Sequence, residues 1–99
     1  MRIWGFGGQS RPVDRRLARA LGLSGERAIE VVRVEPGTPA AVAGLKAADL
    51  IISVDALPVE TVDDVHRTLG PDAIGRPPKI AFAREGHRLE AIVTPREAP

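Results

Sequence analysis

A chain of 99 residues that is 43% hydrophobic has apolar material for one core and too little for two, so one domain is expected, whole or excised from a longer protein. Fourteen basic against thirteen acidic side chains leave a net charge of +1, and only Trp4, Phe6 and Phe82 are aromatic; the electrostatic funnel and stacking platforms that nucleic acid needs are missing. No apolar run approaches the length of a membrane span, so no membrane insertion is expected, and the absence of cysteine removes disulfides and thiolate metal sites in any redox compartment.

From Arg2 to Gly8 the chain starts apolar and turns glycine-rich, the pattern of a short strand opening into a loop whose backbone approaches something closely. Val13, Leu17, Ala20 and Leu21 repeat at helical spacing, with Pro12 before and Gly22 after, which predicts a helix over Val13 to Leu21. Ala28 to Val34 reads as a core strand that Glu35-Pro36-Gly37 terminates. Thr38 and Pro39 form an N-cap with proline at the first helical position, and Gly44 closes a helix of one or two turns.

Asp49 to Asp55 alternates around Leu50, Ile52 and Val54 as a strand, and Leu57-Pro58-Val59 suits only a brief edge strand because proline lacks an N–H. Thr61-Val62-Asp63-Asp64 resembles a capping box with Asp in the place of Glu, opening a second substantial helix through Val65 and Leu69. Lys79 to Arg84 and Arg88 to Thr94 flank the turn Glu85-Gly86-His87, a C-terminal hairpin. Short strands joined mostly by turns predict a mostly β, α+β fold: a small antiparallel barrel or sandwich capped by two substantial helices, spanning residues 1–95, with residues 96–99 a flexible tail. Val32, Val34, Ile52, Val54, Val65, Ile80, Phe82, Leu89 and Val93 are assigned to the core.

Hydrolytic catalysis requires a nucleophile, a base and an oxyanion hole within mutual reach. None of Ser10, Ser24 and Ser53 lies in a nucleophile elbow; Ser24 suits a turn and Ser53 the polar face of a strand. His66 and His87 lack partners at metal-ligand spacing, so no catalytic residue, metal or cofactor is expected. His87 reads as a solvated turn residue, whereas His66 shares a helix face with Val62 and is either an exposed residue without a role or a groove residue. The glycines at 5, 7 and 8 lack the lysine and hydroxyl of a phosphate loop. What Trp4-Gly5-Phe6 does offer is a glycine between two bulky apolar residues, able to turn backbone N–H groups inward as an anion nest above an apolar pocket. Trp4 and Phe6 serve equally well as core residues of a glycine-rich strand.

In combination these segments carry a resemblance. Trp4-Gly5-Phe6, the run from Val32 to Ala41, Gly44 to Ile51, Val54 to Val59, the helix from Thr61 to Leu69, and Ala83 to Gly86 leading to Val93-Thr94-Pro95 resemble, in order, the PDZ domains of the HtrA/Deg family of trypsin-like proteases. The resemblance implies the bacterial, permuted strand order and a peptide-binding module with no catalysis of its own. A hydrophobic C-terminus or unfolded segment would add as a strand to the edge from Phe6 through Gly7 and Gly8 to Gln9, opposite the helix from Val62 to Leu69. N–H groups of Trp4, Gly5 and Phe6 would hold the terminal carboxylate, with Trp4, Phe6, Val62 and Leu69 around the last side chain. His66 would face a residue further back, its titration near neutrality tuning preference there, and Arg2 would add long-range attraction.

The implied partners are peptide segments and a protease domain in a longer parent chain, through which oligomers could form, in a periplasmic or other extracytoplasmic setting. The competing reading is a docking or oligomerisation module with no free peptide ligand. Two departures from the family pattern stand out: Ala48 where glycine usually precedes Asp49, and Ala56 in place of the glycine of the Val-Asp-Gly turn, both of which force adjustment if the backbone needs positive φ there.

Overall fold

The computed structural model describes residues 5–23, 25–68 and 78–93, the side chains of 66–68 excepted. The elements run β1 (Phe6–Pro12), α1 (Arg15–Leu21), β2 (Arg27–Val34), α2 (Pro39–Val42), β3 (Leu50–Val54), β4 (Leu57–Pro58), α3 (Val62–Thr68), β5 (Lys79–Arg84) and β6 (His87–Ile92). All strand pairs are antiparallel, in the order β1-β2-β3-β5-β6 with β4 paired to β3. The antiparallel, helix-capped architecture is the expected one, but the sheet does not close into a barrel: β1 and β6 are its ends, and a helix, α3, packs against β1.

Local signals account for most boundaries. Asp14 accepts from the Arg16 N–H at 2.7 Å to start α1, and Gly22 ends it in the left-handed conformation. Thr38 caps α2 with Pro39 inside its first turn. The Asp64 carboxylate accepts from the N–H groups of Glu60 and Thr61 while the Thr61 hydroxyl accepts from the Asp64 N–H at 3.1 Å, a reciprocal cap in which Asp does the work of Glu. At the hairpin the turn is shorter than expected: Glu85 and Gly86 both take positive φ, as a two-residue turn demands, and His87 already pairs with Arg84 inside β6.

Four expectations are corrected by strand pairing. Gly7 and Gly8, expected in a loop, lie within β1, which begins at Phe6, runs on to Pro12 and delays the helix to Arg15; the strand expected from Arg2 to Trp4 lies outside the described residues. Val32 is 52% exposed because the register steps from Gly7 opposite Arg33 to Gly8 opposite Val31; Val32 is the extra residue of a bulge, which turns it out of the core alternation. Leu89 is 40% exposed because β6 is a terminal strand whose outer end has no covering element among the described residues. Ser53 is likewise not on a solvent-facing strand surface; β3 bulges at Ile52, and Ser53 is buried alongside it.

The main core joins Phe6, Ile29, Val31, Ile51, Val54, Val65, Ile80, Phe82 and Val93, with Val34 and Val62 packed at its border. Each fully buried aliphatic side chain contributes about 1.5–3 kcal/mol. A second, smaller cluster of Leu21, Ile52, Ala81 and Ala83 lies on the other face of β3 and β5, under α1. One buried carboxylate ties the loop before β3 to β5: Asp49 accepts from Arg84 Nε at 2.9 Å and Nη2 at 2.7 Å and from the Lys46 N–H at 2.8 Å. Arg84 also donates to the Gly44 carbonyl at 2.8 Å and lies over the Phe82 ring. The hydrogen bonds to Asp49 raise the Arg84 pKa above its ordinary value; desolvation opposes the shift, and the charges of Asp49 and Glu85 add to it.

Ala48 and Ala56 keep positive φ, 76° and 67°, instead of adjusting the backbone. An L-residue held there is strained by about 1–2 kcal/mol, part of which glycine would return as unfolded-chain entropy. Ala48→Gly and Ala56→Gly are each expected to stabilise the fold by about 0.5–1 kcal/mol, read as a higher thermal midpoint.

Candidate functional site

Of the predicted site residues, those the structure describes lie at the head of β1, along it and on α3. β1 bonds β2 along one side only; among the described residues its other edge has no strand partner, and α3 lies against it. At the head of β1, Gly5 takes φ 83°, and the Thr38 side chain occupies the space a Cβ would need, so no other residue fits without displacing Thr38. The Gly5 carbonyl accepts from the Glu35 N–H at 2.8 Å, and Thr38 Oγ1 donates to the Glu35 carbonyl at 2.6 Å. The Gly5 turn is thereby fastened to the end of β2 and to the start of α2.

Phe6 is 4% exposed and sits in the main core, with Val62 of α3 half-buried against the same cluster. Phe6 and Val62 thus border one core, with Gly5 at the head of β1 and Val62 two residues after Glu60, which bonds Ser10 further along that strand. Gly7 has room for a side chain, whereas a Cβ on Gly8 would meet Ile29 Cγ2 at 2.9 Å; glycine there lets β1 lie close on β2 beside the bulge. Gln9 is exposed and its amide is engaged away from the open edge, donating to Glu30 at 2.9 Å beside Arg11. His66 falls on α3, but its side chain, together with Arg2, Trp4 and Leu69, lies outside the described residues.

Sequence reasoning missed what holds the groove's two walls at a fixed distance. Ser10 Oγ donates to the Glu60 carbonyl at 2.6 Å and accepts from Arg27 Nε at 2.8 Å, tying β1 to the segment that leads into α3. It also missed Thr38 as the neighbour of Gly5, for which only the Gly37-Thr38-Pro39 capping signal was available. No group of three or more metal-ligating side chains is found among the described residues.

The family described as PDZ domain matches residues 9–94. The putative serine protease HhoB of Synechocystis is 36% identical over 63 residues, 64% of this chain and 15% of that protein. The magnetosome formation protease MamE of Paramagnetospirillum magneticum is 31% identical over 86% of this chain and 12% of its own length. The periplasmic pH-dependent serine endoprotease DegQ of Escherichia coli is 32% identical over 79% of this chain and 17% of its own. The chain thus spans less than a fifth of each of these relatives.

Among solved structures, the HtrA3 PDZ domain bound to a phage-derived ligand superposes with a TM-score of 0.64 at 20% identity, covering 93% of this chain and 82% of that one. The HtrA-type protease AlgW with a decapeptide gives 0.63 at 25% identity, covering 95% of this chain and 31% of AlgW. The superposed folds and the matched length agree, and the chain belongs to the PDZ domain family, resembling the members found in HtrA/Deg proteases.

Proposed function

We propose that the chain is a peptide-binding module in which the C-terminal segment of a partner adds as a strand to the open edge of β1, facing α3. The observation that carries this reading is the edge of β1 beside α3, which has no strand partner among the described residues and is headed by the Gly5 turn. Main-chain bonds along Phe6, Gly7, Gly8 and Gln9 supply sequence-independent affinity, and N–H groups of Trp4, Gly5 and Phe6 hold the carboxylate. Trp4, Phe6, Val62 and Leu69 surround the final side chain, His66 faces a residue further back, and Arg2 attracts the chain end. The peptides carried by the HtrA3 and AlgW structures support the reading. The module itself binds and does not cut; in a longer, extracytoplasmic parent it delivers substrate to, or regulates, a trypsin-like protease domain, in line with the proteases it resembles.

A few peptide residues bury far less than a standard interface, so affinity should be on the order of micromolar, about 8 kcal/mol. Peptides ending in Val, Leu, Ile or Phe and lacking tryptophan are expected to change the fluorescence of Trp4, the only tryptophan, saturably, and C-terminal amidation should abolish the change. A flat response to every peptide, repeated by calorimetry, would reject peptide binding and leave the groove a docking or oligomerisation surface.

A further inference from the structure

On the α1 side of the sheet, away from the groove between β1 and α3, a cavity of about 150 Å³ opens among Gly22, Arg27, Ser53, Glu60 and Arg88. Ser53 and Arg88 also line an adjoining hollow of about 290 Å³. Ser53 is 7% exposed, and its hydroxyl makes no hydrogen bond to another described group. Each arginine is anchored through one nitrogen only: Arg27 Nε donates to Ser10 Oγ at 2.8 Å, and Arg88 Nη1 donates to the Leu21 carbonyl at 3.0 Å. Neither is ion-paired among the described residues, so most of their donors remain unused. The Glu60 carboxylate lies against Gly25 at one end and pairs with neither arginine. The cavity therefore holds two arginine side chains and an idle hydroxyl, donors that suit an oxyanion, beside the Glu60 carboxylate, which opposes one.

Size and surroundings narrow the ligand. Pockets for drug-sized molecules run to about 300–1,000 Å³, so this one suits a single side chain. The stretch of residues 11–27, which includes α1 and leads into the cavity wall, holds five arginines against Asp14 and Glu26, whereas the whole chain carries only +1. Arg16 and Arg19 are exposed without ion pairs among the described residues; Arg15 meets Glu26 at 3.6 Å with both largely in water. We propose that the cavity is a second binding site, which takes a carboxylate side chain of an acidic polypeptide segment whose neighbouring acidic residues run along α1. It is a different pocket from the β1 edge, joined to it only through the Ser10 bonds to Arg27 and Glu60.

The test is an amide NMR titration of this chain with acetyl-Glu-Glu-Glu-Glu-amide, which has no free chain end to occupy the Gly5 turn. The expected result is saturable shifts at Gly22, Leu23, Gly25 and Ser53 with Gly7 to Gln9 unmoved. Arg27→Gln should weaken binding about tenfold and Ser53→Ala about threefold, while Glu60→Gln should tighten it about threefold. Arg88→Lys, which keeps the charge, should retain more affinity than Arg88→Gln, each variant being checked for a folded amide spectrum. The proposal is overturned by no shifts, by shifts confined to the β1 groove, or by salt-sensitive shifts spread over Arg16 and Arg19 that ignore Ser53→Ala and Arg27→Gln. Binding of inorganic phosphate without the tetraglutamate would overturn it too, making the cavity a phosphate site.

Discussion

Asp49→Ala should lower the unfolding free energy by about 3 kcal/mol, at the low end of the cost of breaking a buried ion pair. The estimate sits low because Arg84 keeps 31% of its side-chain surface exposed and can turn to water, whereas Asp49, at 2%, cannot. The same asymmetry orders the variants: Arg84→Met strands the buried Asp49 carboxylate with only the Lys46 N–H still donating to it, and should cost more than Asp49→Ala. The double variant should lose less than the two single losses together, since each single change already removes the shared interaction. Urea titrations read all three as midpoint shifts at constant slope; additive losses would show that the pair does not act as a unit. Because folding raises the Arg84 pKa, its contribution is complete below the unfolded guanidinium pKa and fades only at still more alkaline pH, so alkaline buffer short of that point should leave the pair intact.

Gly5→Ala should act on stability and binding together. A Cβ at φ 83° carries about 1–2 kcal/mol of left-handed strain, and displacing Thr38 loosens both its bond to the Glu35 carbonyl and the cap of α2, for about 2–3 kcal/mol in all. If the Gly5 turn holds a terminal carboxylate, peptide affinity should fall by more than about tenfold, the worth of a charge-assisted hydrogen bond. Gly7→Ala is the control: its Cβ would meet only Arg33 Cγ, at 3.7 Å, so stability should change little. Thermal unfolding beside calorimetry at a temperature where both variants are folded separates the two effects. A Gly5→Ala domain that is destabilised yet binds peptide normally would remove the turn from the binding mechanism.

Legibility followed the range of the interaction. Elements whose ends are set by neighbouring residues were readable: Thr38-Pro39 starts α2, Thr61 and Asp64 cap α3, and Glu85-Gly86 turns the last hairpin. The Gly5 signal was legible as a glycine between apolar neighbours, but its cause, the Thr38 side chain, was not, because the contact spans a strand, a turn and a helix cap. Val32 and Leu89 misled because hydrophobicity alone does not reveal a bulge or a terminal strand.

The sequence by itself determined the order of strands and helices, the family resemblance and the glycine turn at the head of β1, since each depends on residues within a few positions of one another. Only the tertiary structure decided that the sheet stays open at β1, that Asp49 meets Arg84 across 35 positions, and that Arg27, Ser53 and Arg88 share one cavity. Those outcomes rest on strand register and on which distant side chains arrive together, and burial fixes both only once the whole core has formed.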